Sequence, residues 1–404
     1  MHYFCGLDSK GNNSWGTPYR RCQFPRLSSR IVYPLDNSDV HLLIIPHKTL
    51  SQHPSKYPEL SLDIYLCHPS QLPRMAPAIP KGSTVLVTGV NGYIGSHVAD
   101  QLLLAGYRVR GTTREASKAT KLLDIWEKKY GKDLVELAIV PDMAAKGAFN
   151  EAVKGVSGVA HVASNMSFSP DPNQVIPEVL AGVNEILNSA AAEPSVKRFV
   201  FTSSCTAATP PKPNEEFFID ENMWNEEDVK AAHAPPPYEP SRAWAVYGAS
   251  KTEAEQALWK FIKEKNPGFV ANAVLPDTNF GKLLYPGQPA STGDFSRQLF
   301  KGDNTLIKLL PPHTARLHVS ALTNPDVKNE RLFGFAEPYT ANDLLRAFRK
   351  IRPDAKIMDD FHDDNIKDLS KVANGRAEEL LRSDFGRSGW TSLEESLKMN
   401  IEDL

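Results

Sequence analysis

Cysteine is scarce. Four in 404 residues (Cys5, Cys22, Cys67 and Cys205) make no disulfide framework. Long apolar runs are missing too: the stretch HLLII at 41–45 is far short of the roughly 20 residues that cross a bilayer. Charge of one sign is also missing. With 46 basic against 48 acidic residues the net charge is −2, which leaves no electrostatic footprint for nucleic acid or an anionic membrane. The first residues, MHYFCGLDSKGNN, lack a basic stretch followed by an apolar core, so no secretory signal is expected. A cytoplasmic protein without nucleic-acid or membrane partners is the expectation.

What is present divides unevenly. Residues 1–74 carry three of the four cysteines, five of the eleven histidines and eight prolines, with no sustained period of 2.0 or 3.6. Cysteine and histidine together invite a zinc site, but no C-x₂-C or H-x₃₋₅-H pair with suitable partners occurs, and no metal is expected. The segment is predicted to be an unstructured or artefactual extension. At Met75 the texture changes, and MAPAIPKGSTVLVTG leads directly into a strand.

From there apolar runs of strand type alternate with helical spacing. STVLVTG, YRVRGTT, LVELAIV, GVAHVAS, VKRFVFTSS and FVANAVLP read as strands. Between them, YIGSHVADQLLLAGY, EASKATKLLDIWEKKYG, VLAGVNEILNSAAAE and SRAWAVYGASKTEAEQALWKFIKEK read as helices. Strand and helix in alternation form right-handed βαβ units. The fold class is therefore α/β, a Rossmann-type doubly wound parallel sheet covered on both faces. Its predicted extent is residues 75–275, followed by a smaller mixed α/β substrate-binding region over 276–404.

The first strand-to-helix turn reads Thr88-Gly89-Val90-Asn91-Gly92-Tyr93-Ile94-Gly95. Glycine at 89 suits a tight turn, at 92 the approach of a pyrophosphate, and at 95 close packing of helix on strand. The helix start offers N–H groups and the positive dipole end to phosphates. An NAD site usually carries an acidic residue at the end of the second strand, but here the tip is Thr112-Thr113-Arg114, with Lys118 one turn on. Arginine matches a 2′-phosphate, so NADP(H) is the expected cofactor. Further along, Tyr247 and Lys251 stand four residues apart, one turn apart on one helix face.

The glycine loop from Thr88 to Gly95, the serine pair in FVFTSS and the YGASK motif together resemble the extended short-chain dehydrogenase/reductases of the NAD-dependent epimerase/dehydratase superfamily. More closely, residues 75–404 are similar to fungal aldehyde (carbonyl) reductases, yeast methylglyoxal reductase and plant dihydroflavonol reductase. The resemblance implies a catalytic set of Ser204, with Ser203 as the adjacent alternative, Tyr247 as general acid and Lys251 as its electrostatic partner. It also implies that Asp142 holds the adenine amine, Ala163 and Ser164 lie against the ribose, and Pro276 lines the nicotinamide. The implied reaction is NADPH-dependent reduction of a small carbonyl compound, by a monomer or homodimer.

That chemistry needs a proton donor and a second hydrogen bond at the oxygen that gains charge. Tyrosine titrates near 10 in water, so bringing it to about 7 takes roughly 4 kcal/mol of phenolate stabilisation, for which Lys251 and the oxidised nicotinamide are the expected sources. A sugar-nucleotide epimerase or dehydratase on the same fold, and a non-catalytic NADP-sensing regulator, are the alternative readings. The apolar neighbourhood of Phe168, Trp244 and Phe280 speaks against the first, and the Ser–Tyr–Lys set against the second. One departure stands out. A strand of the type F-V-D-V-R-D that precedes ARLHVSAL in the relatives is missing near residues 312–313, through an exon error or a true deletion.

Overall fold

The computed structural model describes residues 76–304, 316–362 and 367–404, together with the backbone of three strands before them. Those three, β1 (Ile31–Pro34), β2 (His41–Lys48) and β3 (Leu60–Cys67), form an antiparallel sheet in the order β1-β2-β3. Their unit, Met1–Met75, is compact by itself. The apparent deletion near 312–313 lies outside the described residues.

The second unit, Ala76–Leu404, is built on a seven-stranded parallel sheet. Its strands are β4 (Thr84–Val87), β5 (Arg108–Thr113), β6 (Val135–Ile139), β7 (Gly158–His161), β8 (Arg198–Thr202), β10 (Val270–Pro276) and β11 (Arg331–Gly334). The order is β11-β10-β8-β7-β4-β5-β6, so the chain winds outward one way from β4, returns, and winds outward the other way from β7. A pair of short strands, β9 (Phe218–Ile219) and β12 (Lys371–Val372), makes a separate parallel ribbon.

Central strands are apolar throughout because both faces are covered. Side-chain alternation divides them between two cores. Leu86, Val159, Phe199 and Phe201 point into the core formed with α3 (Pro172–Ala192) and α5 (Ala243–Lys265). Val85, Val87, Ala160, Val200 and Val274 point the other way. There they meet α1 (Tyr93–Leu104), α2 (Thr120–Tyr130), α7 (Leu317–Thr323) and α9 (Gly375–Phe385). Helix α4 (Glu226–Ala232) starts on an Asn225 side chain that accepts from Asp228 N. Helix α3 is likewise capped by Asp171, with Pro172 in its first turn, where a missing N–H costs nothing. A smaller core joins α6 (Thr292–Phe300), α8 (Ala341–Ile351) and α10 (Leu393–Asn400) through Leu299, Leu345, Phe348 and Leu397.

The expected boundary at residue 275 does not divide the sheet. Strand β11 pairs with β10 in register from Ala273–Arg331 to Pro276–Gly334, and α7 lies in the helical layer over the central strands. The polar, short segment NERLFGFAEP hides a strand whose burial comes from the sheet it joins rather than from its own length.

Candidate active site

At the point where the strand order reverses, between β4 and β7, the two following loops are tied together by one hydroxyl. Thr88 Oγ1 accepts from the Val162 and Ala163 N–H groups at 2.9 and 3.0 Å. Its own proton is thereby left for His161 Nδ1, 2.9 Å away. His161 can accept because it is neutral: full burial, then the charge of Lys251, push its pKa down to about 3.

The three glycines do three different jobs. Gly89 has φ +63°, and a Cβ there would sit 3.1 Å from the Ala163 Cβ. Gly95 is the most demanding, since a Cβ would stand 2.3 Å from the Gly89 carbonyl oxygen. Gly92, the N-cap of α1, is exposed, supplies no side-chain cap and has no acidic residue after it in the first turn. An anion could therefore approach this helix start without meeting a side chain or a like charge, and the loop fits a dinucleotide pyrophosphate. Ile94 packs against the second core, while the buried Tyr93 donates its hydroxyl to Gly281 O at 2.9 Å.

At the tip of β5, Arg114 is exposed and its guanidinium makes no ion pair among the described residues. Lys118 does not stand beside it as a second free cation, because its ammonium is paired with Glu115 at 2.8 Å. Asp142 is exposed and closes a turn by accepting from Ala144 N at 2.8 Å. Ala163 and Ser164 line a small hollow with Met143, His161 and Asn165. Pro276 is buried at the end of β10.

The serines at the end of β8 face opposite environments. Ser203 donates to Glu255 Oε2 at 2.6 Å, inside a buried network in which Arg331 holds Glu255 at 2.7 Å. Ser204 accepts from Thr206 N at 3.2 Å and Thr206 Oγ1 at 2.9 Å, and it lies near enough to Tyr247 to favour the phenolate. Of the two, Ser204 is the one brought to the tyrosine. Phe168 stacks on the Tyr247 ring at 5.1 Å, and Trp244 meets Phe168 edge-on at 5.1 Å. Phe280 packs elsewhere, against Tyr339.

Lys251 is buried one turn from Tyr247, but its Nζ lies 6.0 Å from the ring centroid and donates to Thr202 O at 3.4 Å. Burial pulls its pKa down to about 8, with Glu255 opposing. Tyr247 is pushed up to about 12, first by burial, with Ser204 opposing and Cys205 and Asp277 adding to the rise. The acids beside the hydroxyl and the loss of water outweigh an ammonium that is not in contact with it.

Three polar residues of this region carry weaker signals in the sequence. His161 reads as part of an apolar strand, and Cys205 as one of four scattered cysteines. Asp277 directly follows Pro276 in NAVLPDTNF, and a carboxyl interrupting an apolar run is the one trace that marks it. Among the described residues no cluster of three or more His, Cys, Asp or Glu side chains could hold a metal ion, and no helix is long and apolar enough to cross a membrane.

The profile of the NAD dependent epimerase/dehydratase family matches residues 85–300. Aldehyde reductase 2 of Sporidiobolus salmonicolor is 43% identical over 330 residues, covering 79% of this chain and 95% of the relative. Ketoreductase adrE of Penicillium rubens is 39% identical over 339 residues, covering 80% of this chain and 97% of the relative. Among solved structures, Gre2 from Candida albicans in complex with NADPH is 24% identical and superposes with a TM-score of 0.66, covering 79% of this chain and 98% of that one. That likeness establishes the shared fold.

Proposed function

Because the chain belongs to the NAD dependent epimerase/dehydratase family, we propose that it is an NADPH-dependent carbonyl reductase that converts an aldehyde or ketone to an alcohol. The observation that carries the reading is that Ser204, Tyr247 and buried Lys251 are gathered at one place, on the same edge of the sheet as the glycine loop. Relatives named as an aldehyde reductase and a ketoreductase, aligned over about four fifths of the chain, support the substrate class.

In this reading the N-terminus of α1 and Gly92 hold the pyrophosphate, Arg114 the 2′-phosphate, and Lys251 the ribose hydroxyls. Ala163 and Ser164 border the ribose, Asp142 the adenine and Pro276 the nicotinamide. When bound, the reduced nicotinamide supplies the hydride. The protein's own part is at the substrate oxygen. Ser204 directs a hydrogen bond to it, and Tyr247 gives it a proton as negative charge develops. A tyrosine at about 12 remains protonated across the neutral range and so is ready to act as the acid. An alkoxide is a stronger base than a phenolate, so the transfer still runs downhill. Phe168 and Trp244 wall the reacting position with apolar surface.

The test is NADPH oxidation by the purified chain across a panel of aldehydes, simple ketones, diketones and ketoesters, with alcohol product identified. Turnover of at least one class is expected. Absence of carbonyl-dependent oxidation across the panel, in protein that binds NADPH, overturns the reading.

A further inference from the structure

A serine and a tyrosine that serve one substrate oxygen have a competing arrangement, in which one hydroxyl donates to the other and its proton is lost to the reaction. The turn after β8 closes that route. Ser204 Oγ accepts from Thr206 N at 3.2 Å and from Thr206 Oγ1 at 2.9 Å. A hydroxyl oxygen has two lone pairs, and this one threonine engages both. Ser204 is 5% exposed, so little water reaches it to compete for them.

What remains to Ser204 is its own proton, and the partner it has at rest is weak. Cys205 Sγ stands 3.8 Å away, and because the thiol proton is directed to Asp277 Oδ1 at 3.2 Å, the sulfur is the acceptor of the pair. Sulfur accepts poorly, so an arriving carbonyl oxygen displaces it at small cost. Thr206 is in turn held from behind. Its carbonyl accepts from Asn225 Nδ2 at 2.7 Å, and Ala207 O accepts from Asn225 N at 3.1 Å. Asn225 is buried and starts α4, so the turn that carries Thr206 is pinned to the body of the protein and not to Ser204 alone.

We propose that Thr206 is a positioning residue: by filling both lone pairs of Ser204 it makes the serine a donor only, so that the Ser204 and Tyr247 protons are both left for the substrate oxygen. The inference rests on the reading of the protein as a carbonyl reductase and adds a residue that acts through Ser204. Without the Thr206 hydroxyl one lone pair is open. Tyr247 can then donate into it, and the acid is aimed at the serine instead of at the oxygen that gains charge. Neither the dinucleotide nor the carbonyl compound loses a contact, so the loss falls on kcat and not on binding.

The experiment measures kcat, KM for the carbonyl compound, NADPH affinity and melting temperature in the parent, Thr206→Val, Thr206→Ser, Ser204→Ala and the double variant Ser204→Ala/Thr206→Val. Valine keeps the shape and the backbone donor without the hydroxyl, so kcat should fall about tenfold while KM and NADPH affinity stay within about twofold. Serine restores the hydroxyl and should bring kcat back to within about threefold of the parent. In the Ser204→Ala background valine should cost nothing more, because no serine is left to orient. A threonine that only stabilises the turn would give equal losses in both backgrounds, in step with the melting temperature. Parent-like kcat in Thr206→Val overturns the proposal, as does a serine variant no better than valine, or additive losses in the double variant. If the valine protein does not fold, Thr206→Ala takes its place in the same cycle. A parent that binds NADPH yet turns over no carbonyl overturns the reductase reading, and the proposal with it.

Discussion

Ser203 and Glu255 are joined by a 2.6 Å hydrogen bond in the interior, while the next residue along the chain turns to the opposite side and meets Tyr247. Two adjacent serines thus serve stability and chemistry separately. Ser203→Ala leaves one oxygen of a buried carboxylate short of a donor and should cost about 1–2 kcal/mol, with turnover little changed. Ser204→Ala should leave stability within about 1 kcal/mol and lower kcat by roughly 10². Urea unfolding and steady-state kinetics on both variants check this, and the reverse pattern would show the assignment to be off by one residue.

Tyr247→Phe removes one hydroxyl and should lower kcat by 10² or more, on the order of a lost general acid, while NADPH affinity stays within about threefold. Lys251→Met should lower both turnover and NADPH affinity. Its effect on stability has the other sign. The folded pKa of Lys251 is depressed from 10.5 to about 8, so the buried charge is a cost that is fully present below about pH 8 and fades toward 10.5. The cofactor-free Met variant should therefore melt no lower than the parent at neutral pH. A marked drop in its melting temperature would show the ammonium to be a stabilising group.

Arg114 stands at the tip of β5 without an ion pair among the described residues, whereas Lys118 is committed to Glu115. A guanidinium there can meet a 2′-phosphate with two charge-assisted bonds, discounted for exposure. A preference for NADPH over NADH of roughly tenfold to a few hundredfold in kcat/KM is expected, strongest at low salt. Arg114→Glu should reverse it, because a carboxylate repels the phosphate and accepts from the ribose hydroxyls. Lys118→Ala should matter much less. A parent ratio near one would remove Arg114 from the cofactor site.

Asp277 makes a prediction in pH as well. Its folded pKa lies well above the ordinary 3.8, so above about pH 4 the folded state keeps a proton that the unfolded chain releases. Stability from this group is thus highest below pH 4 and declines as pH rises toward the folded value. Asparagine does not titrate. The denaturation midpoint of the parent should accordingly fall relative to that of Asp277→Asn between about pH 4 and 7, in cofactor-free protein. A constant difference across that range would mean the carboxyl is ionised in the fold.

The parts of the fold legible in the sequence are those whose cause is local. Runs such as TVLV and RFVFT are apolar because both faces of the strand are covered, and the glycine at 95 stands where any side chain would strike the Gly89 carbonyl. What was not legible depends on contacts between distant residues. The choice of Ser204 over Ser203 follows from where Glu255 and Arg331 lie. The capture of Lys118 by Glu115 turns on a single rotamer, and β11 is a strand only because β10 is there to receive it. The upward shift of Tyr247 comes first from burial and then from groups 42 residues before it and 30 after, Cys205 and Asp277, which no motif connects.

The pairing of β10 with β11 bears on how the protein is made. Strand β10 ends at Pro276, but the partner that covers its far side begins at Arg331, more than fifty residues later. As the chain leaves the ribosome, six strands of the sheet are available before the seventh. During that interval β10 presents an open row of backbone donors and acceptors, flanked by apolar side chains, to any other nascent chain nearby. Slow translation across residues 277–330, or truncation before Arg331, would therefore be felt first as aggregation during synthesis rather than as a loss of catalytic power.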